Sequence, residues 1–264
     1  MLHLLLTLTS ICAVASACAE HDGSLIKRAA PASDWAYESS FNWGRVNPAY
    51  ELCQTGTQQS PIPLSHSHGL SRRHQLTFDY PNTTDGSFYN WGFGPAFELP
   101  RPLQDNYTSN PSFTFDNTTV YLKGWHIHSP SEHSVSGEFA RAEMHFVHVD
   151  AEGHAKAVLG FRIDACEEEN AFFAQLPGPV RWNDTETRIP ATVDPNAALA
   201  SVSNFNQFWT YSGSLTSPPC SQGIRWFVAR QIMYTSVQQM RKILGASTYS
   251  SRVTQKIWQH GIDL

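Results

Sequence analysis

The chain has 264 residues, 41% of them hydrophobic and 12% aromatic, enough for a sizeable core in one large domain or two small ones. Its formal charge is -5 and it carries no basic run, which argues against nucleic acid as a partner.

Residues 1–19 read as a signal peptide. Leu4 to Val14 is apolar, small residues follow at Ala15, Ser16, Ala17 and Ala19, and the run is too short to span a bilayer. Neither Lys nor Arg precedes the run. Lys27-Arg28 is either a pro-peptide cleavage site or an ordinary solvated pair. Residues 20–30 are then a pro-segment or a disordered N-terminus, and 31–264 form the domain. Cys12 and Cys18 leave with the signal, so Cys53, Cys166 and Cys220 meet an oxidising compartment, with one bridge and one spare thiol. The absence of CxxC argues against a thiolate zinc site. Sequons at Asn82, Asn106, Asn117 and Asn183 beside a signal peptide point to a secreted, extracellular glycoprotein. The C-terminus has no apolar tail that would signal a lipid anchor or membrane attachment.

Residues 31–50 are rich in Trp, Tyr and Phe and read as an aromatic lid on the core. From 51 to 64 the chain is turn-rich. The polar stretch 65–75 carries His66, His68 and His74 without a strand signal, so these histidines read as solvated. Leu76 to Leu99 alternates in short runs, 100–111 is a loop, and Ser112 to His128 reads as strand, turn, strand. Lys156 to Ile163 is a continuous apolar run, as in a buried strand. Residues 165–176 predict a helix, 177–195 a loop, and 195–208 a short helix. Gly223 to Tyr234 predicts another apolar strand. Ser236 caps a helix with apolar Val237, Met240, Ile243 and Leu244, stopped by Gly245. The pattern predicts a mainly β single domain with a few short helices.

Five of the twelve histidines fall between 126 and 148. Residues two apart on a strand share a face, so His126 and His128 point one way. Glu143, His145 and Val147 share a face of the next strand, and Met144, Phe146 and His148 take the other. A turn near Ser136-Gly137 pairs the strands and brings His145 close to His128. Three imidazoles on a rigid floor suit a catalytic zinc, which takes three protein ligands and keeps one open position. Glu143, two residues before His145, is placed to accept that ring's spare N–H and fix its tautomer.

WHIHSPSEH at 125–133, AEMHFVHVD at 142–150, QQSPI at 58–62 and YSGSLTSPPC at 211–220 stand in one order and spacing. With these motifs the chain resembles the α-class carbonic anhydrases over roughly residues 35 to 245. The resemblance implies a large twisted, mostly antiparallel central sheet, with one Zn2+ per chain in a conical cleft. It implies His126, His128 and His145 as ligands, and Glu143 behind the third. It makes Thr216 the group that bonds the zinc-bound hydroxide, with Glu132 accepting the threonine's proton. Val147, Val158, Leu215, Ser217, Ile224 and Trp226 match the CO2 pocket, Tyr37 an active-site tyrosine, and Cys53 with Cys220 the disulfide of secreted members. Cys166 is left free or joins two chains as a homodimer. The implied reaction is reversible hydration of CO2 to bicarbonate. Three neutral imidazoles leave the ion's double charge uncompensated, so bound water is acidified. A low-activity binding module on the same fold and a zinc esterase are the rival readings. Phe93 stands where many members carry a proton-shuttling histidine, and Gly124 where a glutamine often supports the first ligand. The C-terminal RVTQKIWQHGIDL keeps Arg252 and Gln255 of the family segment and then diverges.

Overall fold

A computed structural model describes residues 34–71 and 73–263. The signal peptide, the dibasic pair and the pro-segment lie outside the described residues. The strands are β1 (Thr77–Asp79), β2 (Thr84–Asn90), β3 (Pro95–Glu98), β4 (Ser112–Phe115), β5 (Thr118–His128), β6 (Ser134–Val135), β7 (Glu138–Phe139), β8 (Ala142–Val149), β9 (Ala155–Cys166), β10 (Arg188–Val193), β11 (Phe208–Ser214), β12 (Gln222–Ala229) and β13 (Met233–Ser236). The main sheet runs β10-β2-β3-β5-β8-β9-β12-β11, with β4 and β13 added at β5 and β9 and β1 beyond β4. It is mostly antiparallel, as the family resemblance implies. Two pairings are parallel, β12 and β13 each against β9.

The central strands are apolar for a physical reason. β8 and β9 are covered on both faces, so nearly every residue from Ala142 to Val149 and from Ala157 to Ile163 is buried. One face packs a Phe-rich core that includes Phe113, Phe146, Phe161, Phe172 and Phe227. The other carries a smaller cluster of Ile62, Leu64, Val158, Tyr211, Ile224 and Trp226. A third cluster gathers Tyr37, Trp43, Phe93 and the Cys53–Cys220 disulfide, with Trp35 and Trp91 against it. This is the expected aromatic lid, docked over the histidine-bearing end of β5 by a Tyr37–His128 ring contact at 5.8 Å.

Several expectations need correction. The helix predicted over 165–176 is mostly absent. β9 continues to Cys166 because β13 pairs with it through Ser236, and only Ala171–Ala174 turns helical. Asn170 caps that turn through its side-chain oxygen, and buried Phe172 and Phe173 pin it. The strand predicted over Gly223 to Tyr234 is broken between Ala229 and Met233. His66 and His68 are exposed as expected. His74 is not simply solvated, since its Nδ1 meets Asp116 at 2.7 Å. The Ser236 helix spans Val237–Gly245 with a reciprocal capping box to Gln239. The C-terminal segment is anchored at two points, Arg252 and His260, while Lys256 to Gln259 between them are exposed. Arg252 is buried and donates to the carbonyls of Ser60 and Cys53 and to Gln59 Oε1, while His260 is buried against the Gln59 carbonyl.

Candidate metal centre

β5 and β8 pair antiparallel with His126 opposite His145 and His128 opposite Glu143. All four side chains therefore rise from one face of two hydrogen-bonded strands. His145 lies nearer His128, at 4.5 Å between ring centroids, than His126, at 5.5 Å. The Ser136-Gly137 turn is present, closing the small β6–β7 hairpin between the two strands.

Two of the three rings have one nitrogen committed. His145 Nε2 faces Glu143 Oε1 at 2.8 Å, which leaves Nδ1. His128 Nδ1 faces the Ser250 carbonyl at 2.6 Å, which leaves Nε2 buried and without a partner. His126 is half-buried beneath Trp91, whose ring lies 5.1 Å away. One nitrogen from each of the three rings lies within 4.8 Å of the other two. Ligand atoms of a tetrahedral zinc stand roughly 3.4 Å apart, so the triad fits a divalent ion with little adjustment. An orphaned buried imidazole nitrogen is what an ion would satisfy. Burial and the neighbouring imidazoles depress the basicity of all three rings, that of His126 to about 3. They are neutral at physiological pH, the form that ligates.

Glu143 is a hub. Its Oε2 accepts from the amides of Glu132 and His133, and its Oε1 meets His133 Nδ1 at 2.6 Å as well as His145. Burial alone would raise its pKa, but the imidazoles and their hydrogen bonds outweigh that and hold it well below the usual range. His133 Nε2 continues to Tyr211 Oη at 2.7 Å, and that hydroxyl to Ser60 Oγ at 3.0 Å. Sequence reasoning gave His133, Tyr211, Ser60 and Ser250 no role. The first three lie inside the motifs quoted above, but a motif does not say which of its polar residues face one another.

Glu132 is fully buried, and its Oε2 stands 3.6 Å from His128 Nε2 and 3.9 Å from His145 Nδ1. Burial pushes its carboxyl well above the ordinary value, opposed by hydrogen bonds from the Thr216 hydroxyl and from the Arg252 amide, the latter at 2.9 Å. Val158, Ile224 and Trp226 are buried in one cluster, with Val147 and Leu215 packed against it. Trp226 reaches the centre itself, 4.8 Å from the His145 ring. Ser217 is half-buried in the turn closed by its carbonyl and the Cys220 amide. The Tyr37 hydroxyl is buried without a partner.

Both departures have structural reasons. Phe93 is buried, stacked on Trp35 at 5.6 Å and against Tyr37 at 5.0 Å. At Gly124 a β-carbon would stand 2.3 Å from the Phe97 carbonyl oxygen, so the close approach of β3 excludes any side chain there.

A histidine triad on one face of a large mixed sheet, with one nitrogen of each ring close to the other two, defines the class of protein as one whose sheet carries residues that could hold a metal ion. The eukaryotic-type carbonic anhydrase profile matches residues 38–259. The carbonic anhydrase of Pectobacterium atrosepticum is 32% identical over 229 residues, covering 81% of this chain and 84% of that protein. The α-carbonic anhydrase of Thermovibrio ammonificans, solved with the inhibitor sulfanilamide, has a TM-score of 0.72 at 26% identity, over 86% of this chain and 96% of that one. The fungal α-carbonic anhydrase of Aspergillus oryzae has a TM-score of 0.69 at 29% identity, over 82% and 89%. This chain belongs to the eukaryotic-type, α-class carbonic anhydrase family.

Proposed function

We propose that the chain is a secreted enzyme hydrating CO2 reversibly to bicarbonate and a proton, with one zinc ion held by His126, His128 and His145. The observation that carries this reading is the set of three neutral rings whose free nitrogens converge while His128 and His145 are locked by Ser250 and Glu143. When bound, the ion acts as a Lewis acid that makes water a nucleophile at neutral pH. The chain does the rest. Glu143 fixes the His145 tautomer. Glu132, ionised beside a divalent charge, accepts the proton of the Thr216 hydroxyl. The threonine oxygen is then left as an acceptor, which aligns the attacking oxygen rather than activating it. CO2 is apolar, and Val147, Val158, Leu215, Ile224 and Trp226 give it an apolar wall, with Ser217 at its edge. Tyr37, whose ring lies 5.8 Å from that of His128, keeps a buried hydroxyl without a partner beside the triad.

The proton has no imidazole at position 93 to take it, so it leaves to external buffer. Secretion is supported by the Cys53–Cys220 disulfide and by four sequon asparagines, 82, 106, 117 and 183, that are all exposed. No described helix is long and apolar enough to cross a membrane. Residues 31–264 form the catalytic domain. Cys166 is free and half-buried, the thiol through which two chains would join. Stopped-flow CO2 hydration tests the assignment. The wild type should be active, and Thr216→Ala should lose about 100-fold in kcat while keeping its metal. An inactive metal-loaded wild type would overturn it.

A further inference from the structure

A second cleft lies away from the histidine triad, where the parallel ladder along β9 is interrupted. Val228 pairs with Gly160 and Met233 with Ile163. Five residues advance on one side against three on the other, so Arg230, Gln231 and Ile232 loop out beside Arg162. A cleft of about 520 Å3 opens at this break. Arg162 and Arg230 line it with His66, Asn206, Gln207 and Gln231, and no Asp or Glu does.

Arg162 is the unusual member. Only 5% of it is exposed. Its Nη2 donates to the Arg230 carbonyl at 2.8 Å and its guanidinium lies 5.8 Å from the Trp209 ring centre, but its Nε is buried with no partner. Arg230 is exposed at the rim, where its Nη1 donates to Gln207 Oε1 at 2.6 Å. Arg101, Arg141 and Arg188 all face carboxylates. Among the described residues, Arg162 and Arg230 form no ion pair. Glu143 stands opposite Arg162 in the strand register, yet its oxygens are taken by His133, His145 and two backbone amides. Burial depresses the pKa of Arg162, opposed by the Glu143 charge across the ladder, and its unpartnered Nε leaves a buried donor to be satisfied.

We propose that this cleft binds a small oxyanion, with Arg162 at the floor and Arg230 and the rim amides closing over it. Guanidinium forks match the paired oxygens of a carboxylate, phosphate or sulfate group. The proposal is independent of the assigned reaction, since the cleft shares no residue with the triad.

The test titrates metal-loaded protein separately with inorganic phosphate, sulfate and bicarbonate. Binding is read by calorimetry and by the Arg162 Nε–H resonance in 15N-arginine-labelled protein. We expect a saturable shift of that resonance with at least one anion, apart from any anion taken up at the metal centre, and the anion that shifts it at the lowest concentration identifies the source of the oxyanion. Arg230→Gln should weaken binding at least tenfold and leave CO2 hydration unchanged, and Arg162→Met should remove binding. If Arg162→Met fails to fold, Arg230→Gln and the wild-type resonance still decide. No saturable binding, or equal affinity in Arg230→Gln and wild type, would overturn the site and leave Arg162 as a strut between Trp209 and the looped-out segment.

Discussion

Glu143 Oε1 lies 2.8 Å from His145 Nε2, two residues along the same strand, and the same oxygen lies 2.6 Å from His133 Nδ1. One carboxylate oxygen therefore sets the orientation of two imidazoles, only one of which belongs to the triad. Glu143→Gln keeps the shape but replaces an acceptor pair with one acceptor and one donor. Metal affinity should fall 10- to 100-fold, measured by competition with a chelator. Unchanged affinity would mean that packing alone holds His145.

Phe93 lies under Trp35 and against Tyr37, not at an open cleft wall. Turnover of the wild type should rise with buffer concentration, and Phe93→His should not abolish that dependence, because a histidine there is buried in an aromatic cluster. Stopped-flow rates across a buffer series check both. Turnover independent of buffer in the wild type would reveal another proton route.

His148 lies on the sheet face opposite the triad, 2.6 Å from the Tyr80 hydroxyl and edge-on to Phe113. Burial lowers its pKa from 6.5 to about 3. The unfolded chain takes up this proton near pH 6.5, while the folded chain resists it down to about 3. Its effect on stability is thus absent above pH 6.5 and increasingly unfavourable as pH falls toward 3, on the order of 5 kcal/mol at full effect. Chemical denaturation between pH 7 and 4 should show a shallower pH slope for His148→Leu than for wild type, by about one proton. Contributions from the rest of the chain are common to both proteins and cancel. Equal slopes would contradict a neutral buried His148.

On β5, a β-carbon at Gly124 would meet the Phe97 carbonyl at 2.3 Å. Gly124→Ala should cost about 1–3 kcal/mol by forcing β3 away, read as a lower denaturation midpoint with little change in slope. A neutral substitution would show that β3 yields freely.

Much of this was legible in the residues because strand parity is a strong constraint. The i, i+2 spacing of His126 and His128 and the placing of Glu143 before His145 put four side chains on one face before any fold was known. The same rule puts His148 on the other face, where it meets Tyr80 and Phe113. What parity cannot give is contact across sequence distance. The Ser250 carbonyl that orients His128 and the Arg252 amide that reaches Glu132 come from a segment about 120 residues away. The helix expected over 165–176 failed for a related reason. Its first residues were captured by β13, a pairing invisible to local pattern.

The proposed activity depends most on three imidazoles holding one divalent ion. The direct measurement is metal content per chain after exhaustive dialysis, for wild type and His128→Ala side by side. We expect about one zinc per wild-type chain and essentially none in the variant, with the variant still folded by circular dichroism. Zinc retained at full stoichiometry in folded His128→Ala would contradict it.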